Sequence, residues 1–76
     1  MPHRYDLDPY FIAAVINTES GFDASAVSSA GAQGLMQIMP ETAEWIAGKL
    51  GDKELDPKNL TDPETNIEMG AGICSF

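Results

Sequence analysis

The segment from Asp8 to Gly21 constrains the fold most, because it carries the start and stop signals of one helix. Pro9 suits the first helical position, where a backbone N–H is not needed, and the Asp8 side chain can accept a hydrogen bond from a free amide. Gly21 readily adopts the left-handed conformation that ends a helix. The sequence therefore predicts a helix over residues 8–20.

One face of this helix is apolar and also carries an acid. At about 100° per residue, its apolar side chains fall in an arc of roughly 140°, and Glu19 lies near the middle of that arc. A carboxyl on an apolar face favours its protonated form, which general acid catalysis requires. We therefore interpret Glu19 as a catalytic acid that points at the core; the alternative is an ordinary exposed residue in the last helical turn. The apolar members of the arc are Phe11, Ile12, Val15 and Ile16.

Similar signals predict two further helices. The second begins at about Pro40 and ends before Gly51, and the third begins at Asp62-Pro63. Apolar residues in the second helix recur at spacings of three and four, which is the helical period. No segment is long enough to anchor a sheet, so the predicted fold class is all-α, with about three helices and a long structured loop.

The same patterns predict which side chains are buried. Trp45 in the second helix is expected in the core, or else in the wall of a groove. The single cysteine, Cys74, is expected to be a small buried side chain. The face of the third helix that we predict to be buried consists of Ile67, Gly70, Ala71 and Cys74.

The loop of residues 22–39 is rich in Ala, Ser and Gly and has neither a helical nor a strand period. Loops longer than about 12–15 residues in a compact domain are usually functional or disordered, and the apolar residues near the end of this loop argue against disorder. Ser28 and Gln37 offer uncharged donors and acceptors that match sugar hydroxyl and acetamido groups. Each of these side chains could equally stabilise a turn.

The composition excludes several classes of function. Acidic residues outnumber basic ones by 12 to 4, for a formal net charge of -8, which argues against binding to nucleic acid or to an anionic membrane. No metal-ligand cluster and no phosphate-binding Gly loop is found, so no metal or cofactor is expected. No apolar run approaches the ~20 residues of a membrane span, and we expect no signal peptide in this chain.

Four stretches of the chain form an ordered series of motifs. They are Glu19-Ser20-Gly21-Phe22, Ala26 to Ala32, Gly34 to Pro40 with Thr42-Ala43, and Asn66-Ile67 with Gly70. In this order they resemble the catalytic domain of the soluble lytic transglycosylases, the lysozyme-like SLT domain. The resemblance implies an α-helical, lysozyme-like lobe and, as substrate, the glycan strands of peptidoglycan.

The resemblance also implies roles for single residues. Glu19 matches the family's sole catalytic acid, which protonates the glycosidic oxygen between N-acetylmuramic acid and N-acetylglucosamine and then serves as base. Ser28 matches a substrate-contacting serine, and Gln37 and Met39 match residues that line the groove. One acid suffices if a hydroxyl group of the muramic acid attacks its own anomeric carbon and leaves an anhydro sugar. Asp23 is the nearest second acid, but an Asp after a Gly-Phe turn is commonly a cap.

Members of this family continue beyond the third helix into an Ala-Tyr-Asn-Ala-Gly segment that borders the groove. This segment is not found here, so we expect residues 1–76 to form the N-terminal part of such a domain. By resemblance the protein acts in the cell envelope or outside the cell. Two alternatives stay open: a hydrolytic muramidase like goose-type lysozyme, which would use the same Glu19, and a non-catalytic remnant that binds peptidoglycan.

Overall fold

The computed structural model describes residues 8–51 and 55–75, which form three helices and an ordered loop between the first two. Helix α1 spans Pro9–Ser20, α2 spans Pro40–Leu50 and α3 spans Pro63–Ser75. In this described part the chain has no strand, only two isolated antiparallel bridges that both involve Gln33. The all-α fold class is therefore confirmed. None of the helices in the same ranges is both long and apolar enough to cross a membrane.

The helix ends follow the predicted signals. The Asp8 carboxylate accepts a hydrogen bond from the backbone N–H of Tyr10 at 2.9 Å, and Gly21 ends α1 with a φ of 62°. Before α3, the Asp62 carboxylate accepts from the backbone N–H of Thr65 at 3.0 Å and from its hydroxyl at 2.9 Å. These two hydrogen bonds hold the pKa of Asp62 below its ordinary value of 3.8.

The core lies between α2, α3 and the loop of residues 22–39. Helix α2 packs against α3, and Gly72 of α3 allows the two backbones to approach near Ile46 and Leu50. Helix α1 contributes Ile16 to this core, and its neighbouring apolar residues pack more loosely against it. The buried apolar side chains are Ile16, Leu35, Met36, Ile38, Ala43, Ile46, Leu55, Leu60, Met69 and Ala71.

The loop is ordered by main-chain hydrogen bonds although its sequence has no period. Gln33 and Ile38 exchange two backbone hydrogen bonds, with N···O distances of 2.9 and 3.0 Å. The N–H of Gly34 donates to the carbonyl of Ala26 at 2.8 Å, which ties the two halves of the loop together. The loop thereby forms a compact layer on which the end of α1 rests.

Several predicted burials are wrong. Phe11 of the predicted apolar arc is 50% exposed, and Trp45 is 49% exposed on the surface of α2, with the Lys49 ammonium 5.8 Å from its ring centroid. Cys74 is exposed, not buried. In α3 the buried side chains are shifted towards Asn66, which binds the loop, and Ile67 is only partly buried. Polar contacts to the loop, which an apolar pattern does not include, orient this helix.

Candidate active site

Glu19 lies in the last turn of α1, at the edge of a pocket of about 270 Å³. The pocket is formed where α1, the end of the loop, the start of α2 and the second half of α3 meet. Among the described residues that line it, Glu19 is the one acid. The lining residues are Val15, Glu19, Met36, Gln37, Ile38, Met39, Thr42, Gly70, Ile73 and Cys74. Three of the four predicted site residues, Glu19, Gln37 and Met39, are therefore brought together.

The predicted orientation of Glu19 is wrong, because its side chain is exposed and does not point at the core. The inward stripe of α1 passes instead through Ile12, Ile16 and Ser20, which follow one another at intervals of four residues. Glu19 lies about 60° around the helix from Ile16, at the border of that stripe. This border position places the carboxyl next to the pocket and leaves it open to water.

Ser20 joins the end of α1 to the loop. Its hydroxyl lies 2.7 Å from the carbonyl oxygen of Leu35 and 3.1 Å from that of Ile16. Since a hydroxyl has a single proton, the shorter contact to Leu35 is the stronger hydrogen bond. The residue that directly follows Glu19 is thus attached to the loop segment that forms the opposite side of the pocket.

Gln37 has an unusual backbone conformation, with a φ of 52° that residues other than glycine rarely adopt. Its side-chain amide nitrogen donates to the carbonyl oxygens of Ala26 at 3.1 Å and Gly34 at 3.0 Å. Because both partners are acceptors, the side-chain atom that faces them is the nitrogen and not the oxygen of the Gln37 amide. Both hydrogens of Nε2 are used in this way, so Gln37 can meet a ligand only as an acceptor, through Oε1.

Ser28 and Asp23 lie outside the set of residues that line this pocket. The Ser28 hydroxyl oxygen accepts a hydrogen bond from the backbone N–H of Ala32 at 3.0 Å, and its proton stays available to a ligand. The Asp23 carboxylate accepts from the backbone N–H of Ser25 at 3.0 Å and from its hydroxyl at 2.8 Å. Asp23 is therefore a turn cap, as its position after Gly-Phe indicated.

Two further residues that matter for this pocket are not among the predicted site residues. Thr42 lines the pocket, and its place three residues after Met39 at the start of α2 is a signal that could have found it. Asn66 is fully buried in α3 and binds the backbone of the loop. It was part of a motif, but its partners are distant in sequence and no local pattern indicates them.

The described residues also form a larger cavity of about 450 Å³, lined by Gln33, Pro40, Glu44, Pro57 and Lys58. It contains none of the predicted site residues. Its charged walls, Glu44 and Lys58, are both exposed to solvent. Within the two described ranges, no three side chains of the His, Cys, Asp or Glu type lie together as a metal site.

The order of the sequence motifs agrees with a known protein family. The family model described as the transglycosylase SLT domain matches residues 2–75. The chain therefore belongs to the transglycosylase SLT domain family.

Two proteins illustrate its relatives. The chain is 41% identical over 70 residues to a transglycosylase of Enterobacteria phage PRD1, covering 92% of this chain and 23% of that protein. It is 40% identical over 75 residues to the membrane-bound lytic murein transglycosylase C of Yersinia pestis, covering 96% of this chain and 21% of that protein. The chain thus spans about a fifth of the length of these relatives.

Solved structures of this family have the same fold. The 70 kDa soluble lytic transglycosylase of Escherichia coli superposes with a TM-score of 0.86 at 33% identity, over 93% of this chain and 12% of that one. The lytic transglycosylase Slt of Pseudomonas aeruginosa, in an inactive mutant with a Glu replaced by Gln, gives 0.83 at 38% identity. That match covers 91% of this chain and 11% of Slt. The predicted lysozyme-like helical lobe is confirmed.

Proposed function

We propose that this chain takes part in lytic cleavage of the glycan strands of peptidoglycan, with Glu19 as the single general acid and base. The observation that carries this proposal is the pocket in which Glu19 is the one acid among the described lining residues, in a member of the SLT family. Enzymes that cleave glycosides with two carboxylates place them about 5–9.5 Å apart. Asp23, the candidate second acid, has its carboxylate committed to Ser25.

The proposed reaction has two steps. Protonated Glu19 first donates its proton to the glycosidic oxygen between N-acetylmuramic acid and N-acetylglucosamine, and the bond from this oxygen to the anomeric carbon breaks. The resulting carboxylate then takes the proton of a hydroxyl on the muramic acid while the oxygen of this hydroxyl bonds to the anomeric carbon. The product is an anhydro sugar, no water is consumed, and Glu19 regains its proton.

The other pocket residues suit a sugar with hydrogen-bond donors. Gln37 presents its Oε1 as an acceptor for a hydroxyl or an acetamido N–H, because its Nε2 is already bonded to the loop. The apolar side chains of Met39 and Val15 offer a surface for a sugar ring. We propose Ser28 as a further contact beyond this pocket, through its free hydroxyl proton. A bound sugar would also remove water from the exposed Glu19 carboxyl, which the fold by itself does not do.

The relatives support the class of reaction. Lytic murein transglycosylase is the name of the Yersinia protein, and Slt was solved as an inactive mutant in which one Glu is replaced by Gln. This chain spans about a fifth of the length of the Yersinia protein, and we propose that it cleaves glycan itself. We also propose that the chain acts in the cell envelope, on the wall polymer.

Analysis of the products from purified peptidoglycan tests the reaction. We expect mass spectrometry to show chain ends that are lighter by one water than hydrolysed ends, with no heavy oxygen incorporated from labelled water. Reducing ends that carry the label would instead identify a hydrolytic muramidase. Binding of glycan strands without any product, by wild type and by Glu19→Gln alike, would show a non-catalytic module and would overturn the proposal.

A further inference from the structure

Asn66 is a buried polar side chain that the proposed chemistry does not use. It lies in the first half of α3 with 0% of its surface exposed. Its amide nitrogen donates to the carbonyl oxygens of Gln33 at 2.9 Å and Leu60 at 2.8 Å, and its Oδ1 accepts from the N–H of Met36 at 2.7 Å. Both hydrogens of Nδ2 are therefore used. The orientation of the amide is settled, because a reversed amide would set an oxygen against two carbonyl oxygens.

These hydrogen bonds fix both ends of a short loop segment, residues 33–36, directly before Gln37. Met36 and Gln37 line the pocket beside Glu19, whereas Asn66 is not one of the lining residues. Gly34 lies inside the fixed segment and has a φ of 80°. A Cβ at this position would overlap the Asn66 amide, so the absence of a side chain lets the amide reach the loop backbone.

The same segment is held from α1 by the hydrogen bond between the Ser20 hydroxyl and Leu35. The pocket-lining part of the loop is thus attached to α1 through Ser20 and to α3 through Asn66. We propose that Asn66 is a positioning residue, which sets the place of Met36 and Gln37 relative to Glu19 without touching a ligand. The kinetic part of this inference rests on the proposed function, and its structural part does not.

Amide hydrogen exchange tests the structural part. In Asn66→Ser the side chain is too short to bond Gln33, Leu60 and Met36 together, so the backbone amides of residues 33–38 should exchange at least ~10-fold faster relative to those of α2. The matched control replaces Ile46, which is buried between α2 and α3 and does not line the pocket. Of Ile46→Val and Ile46→Ala, the one used is the one that lowers the melting temperature by the same amount as Asn66→Ser. In this control, loop and helix amides should change together.

Kinetics on peptidoglycan test the positioning role. At a temperature where both variants are fully folded, kcat should fall about 10- to 100-fold in Asn66→Ser, since a misplacement of about 1 Å can cost 10²-fold in rate. The Ile46 control should stay within about 3-fold of wild type. In a double variant with Gln37→Leu, the further loss of kcat caused by Asn66→Ser should be smaller than its loss in the wild-type chain, because part of the effect of Asn66 passes through Gln37.

The outcomes separate the two proposals. A wild-type chain without product contradicts the proposed function, and the exchange data still decide whether Asn66 holds the loop. Any one of three results would overturn the positioning role. These are a wild-type kcat in Asn66→Ser, loop amides that exchange no faster in Asn66→Ser than in the control, and independent effects of the two changes in the double variant. If Asn66→Ser does not fold, hydrogen exchange of the Met36 amide in the wild-type chain provides the test. This amide should exchange as slowly as the amides of α3. An exchange rate as high as that of the exposed Ala30 amide would overturn the inference.

Discussion

The hydroxyl of Ser20 lies 2.7 Å from the main-chain carbonyl oxygen of Leu35 and so connects the residue after Glu19 with the loop across the pocket. Leu35 is buried, which means that its carbonyl group has little access to water in place of this donor. The hydrogen bond therefore contributes both to stability and to the shape of the pocket.

Replacing Ser20 by Ala should destabilise the chain by about 1–3 kcal/mol, the cost of leaving a buried acceptor without its partner. Urea unfolding measures this loss. Ser29→Ala, which replaces an exposed serine in the loop of residues 22–39, is the control and should change the free energy of unfolding by less than about 0.5 kcal/mol. Equal losses in the two variants would show that the contact to Leu35 contributes nothing.

Replacing Glu19 by Gln should lower the rate of glycan cleavage by about 10²- to 10⁴-fold, because the amide cannot exchange a proton with the glycosidic oxygen. The melting curve should stay close to that of wild type, since the side chain is exposed. Asp23→Asn is the control for a second acid and should keep most of the rate. Wild-type turnover by Glu19→Gln would remove this residue from the mechanism.

Replacing Gly34 by Ala should be more destabilising than replacing Gly31 by Ala. Both glycines have a positive φ, 80° and 97°, so either alanine costs about 1–2 kcal/mol in backbone strain. A Cβ at position 31 meets no atom within 4 Å, whereas one at position 34 overlaps Asn66 and the carbonyl of Leu60. This crowding should add about 1–3 kcal/mol. Thermal melts of both variants measure the difference, and equal melting temperatures would contradict the close packing of the loop on α3.

The N-terminal cap of α3 should make stability depend on pH. The hydrogen bonds from Thr65 hold the pKa of Asp62 below its ordinary value of 3.8, so the folded chain binds a proton at this carboxyl less readily than the unfolded chain. The stabilisation is complete above the unfolded-state pKa and is lost as the pH falls through the lower folded-state pKa. Denaturant titrations below about pH 4 should therefore show a steeper loss for wild type than for Asp62→Asn, whose cap does not titrate. Parallel curves would exclude this contribution.

The helix boundaries could be predicted because their determinants are local. An Asp before a Pro starts a helix, and a Gly that adopts positive φ ends one, through contacts within a single turn. In the structure these roles are filled by Asp8 and Asp62 at helix starts and by Gly21 at the end of α1. Part of the pocket lining could also be predicted, because Glu19, Gln37 and Met39 belong to motifs with fixed spacing and all three line the pocket. The roles of these residues stay predictions.

The directions of several side chains could not be predicted, because they depend on contacts between distant segments. Apolar periodicity placed Glu19 in the middle of a buried arc, but the loop packs against α1 through the hydroxyl of Ser20 and shifts the buried stripe away from Glu19. Likewise, the buried face of α3 is determined by Asn66, whose partners Gln33 and Met36 lie about thirty residues earlier in the chain. Hydrogen bonds of this kind leave no periodic signal.

The exposed Cys74 on the wall of the Glu19 pocket has a practical consequence. It is the single thiol of the chain, so a thiol-reactive fluorophore or fluorinated tag would attach at one defined place without any engineered substitution. A small label there would sense the entry of a sugar as a change in emission or resonance frequency. The unmodified sequence therefore already contains the attachment point for a direct titration of pocket occupancy, in which binding is followed separately from bond cleavage.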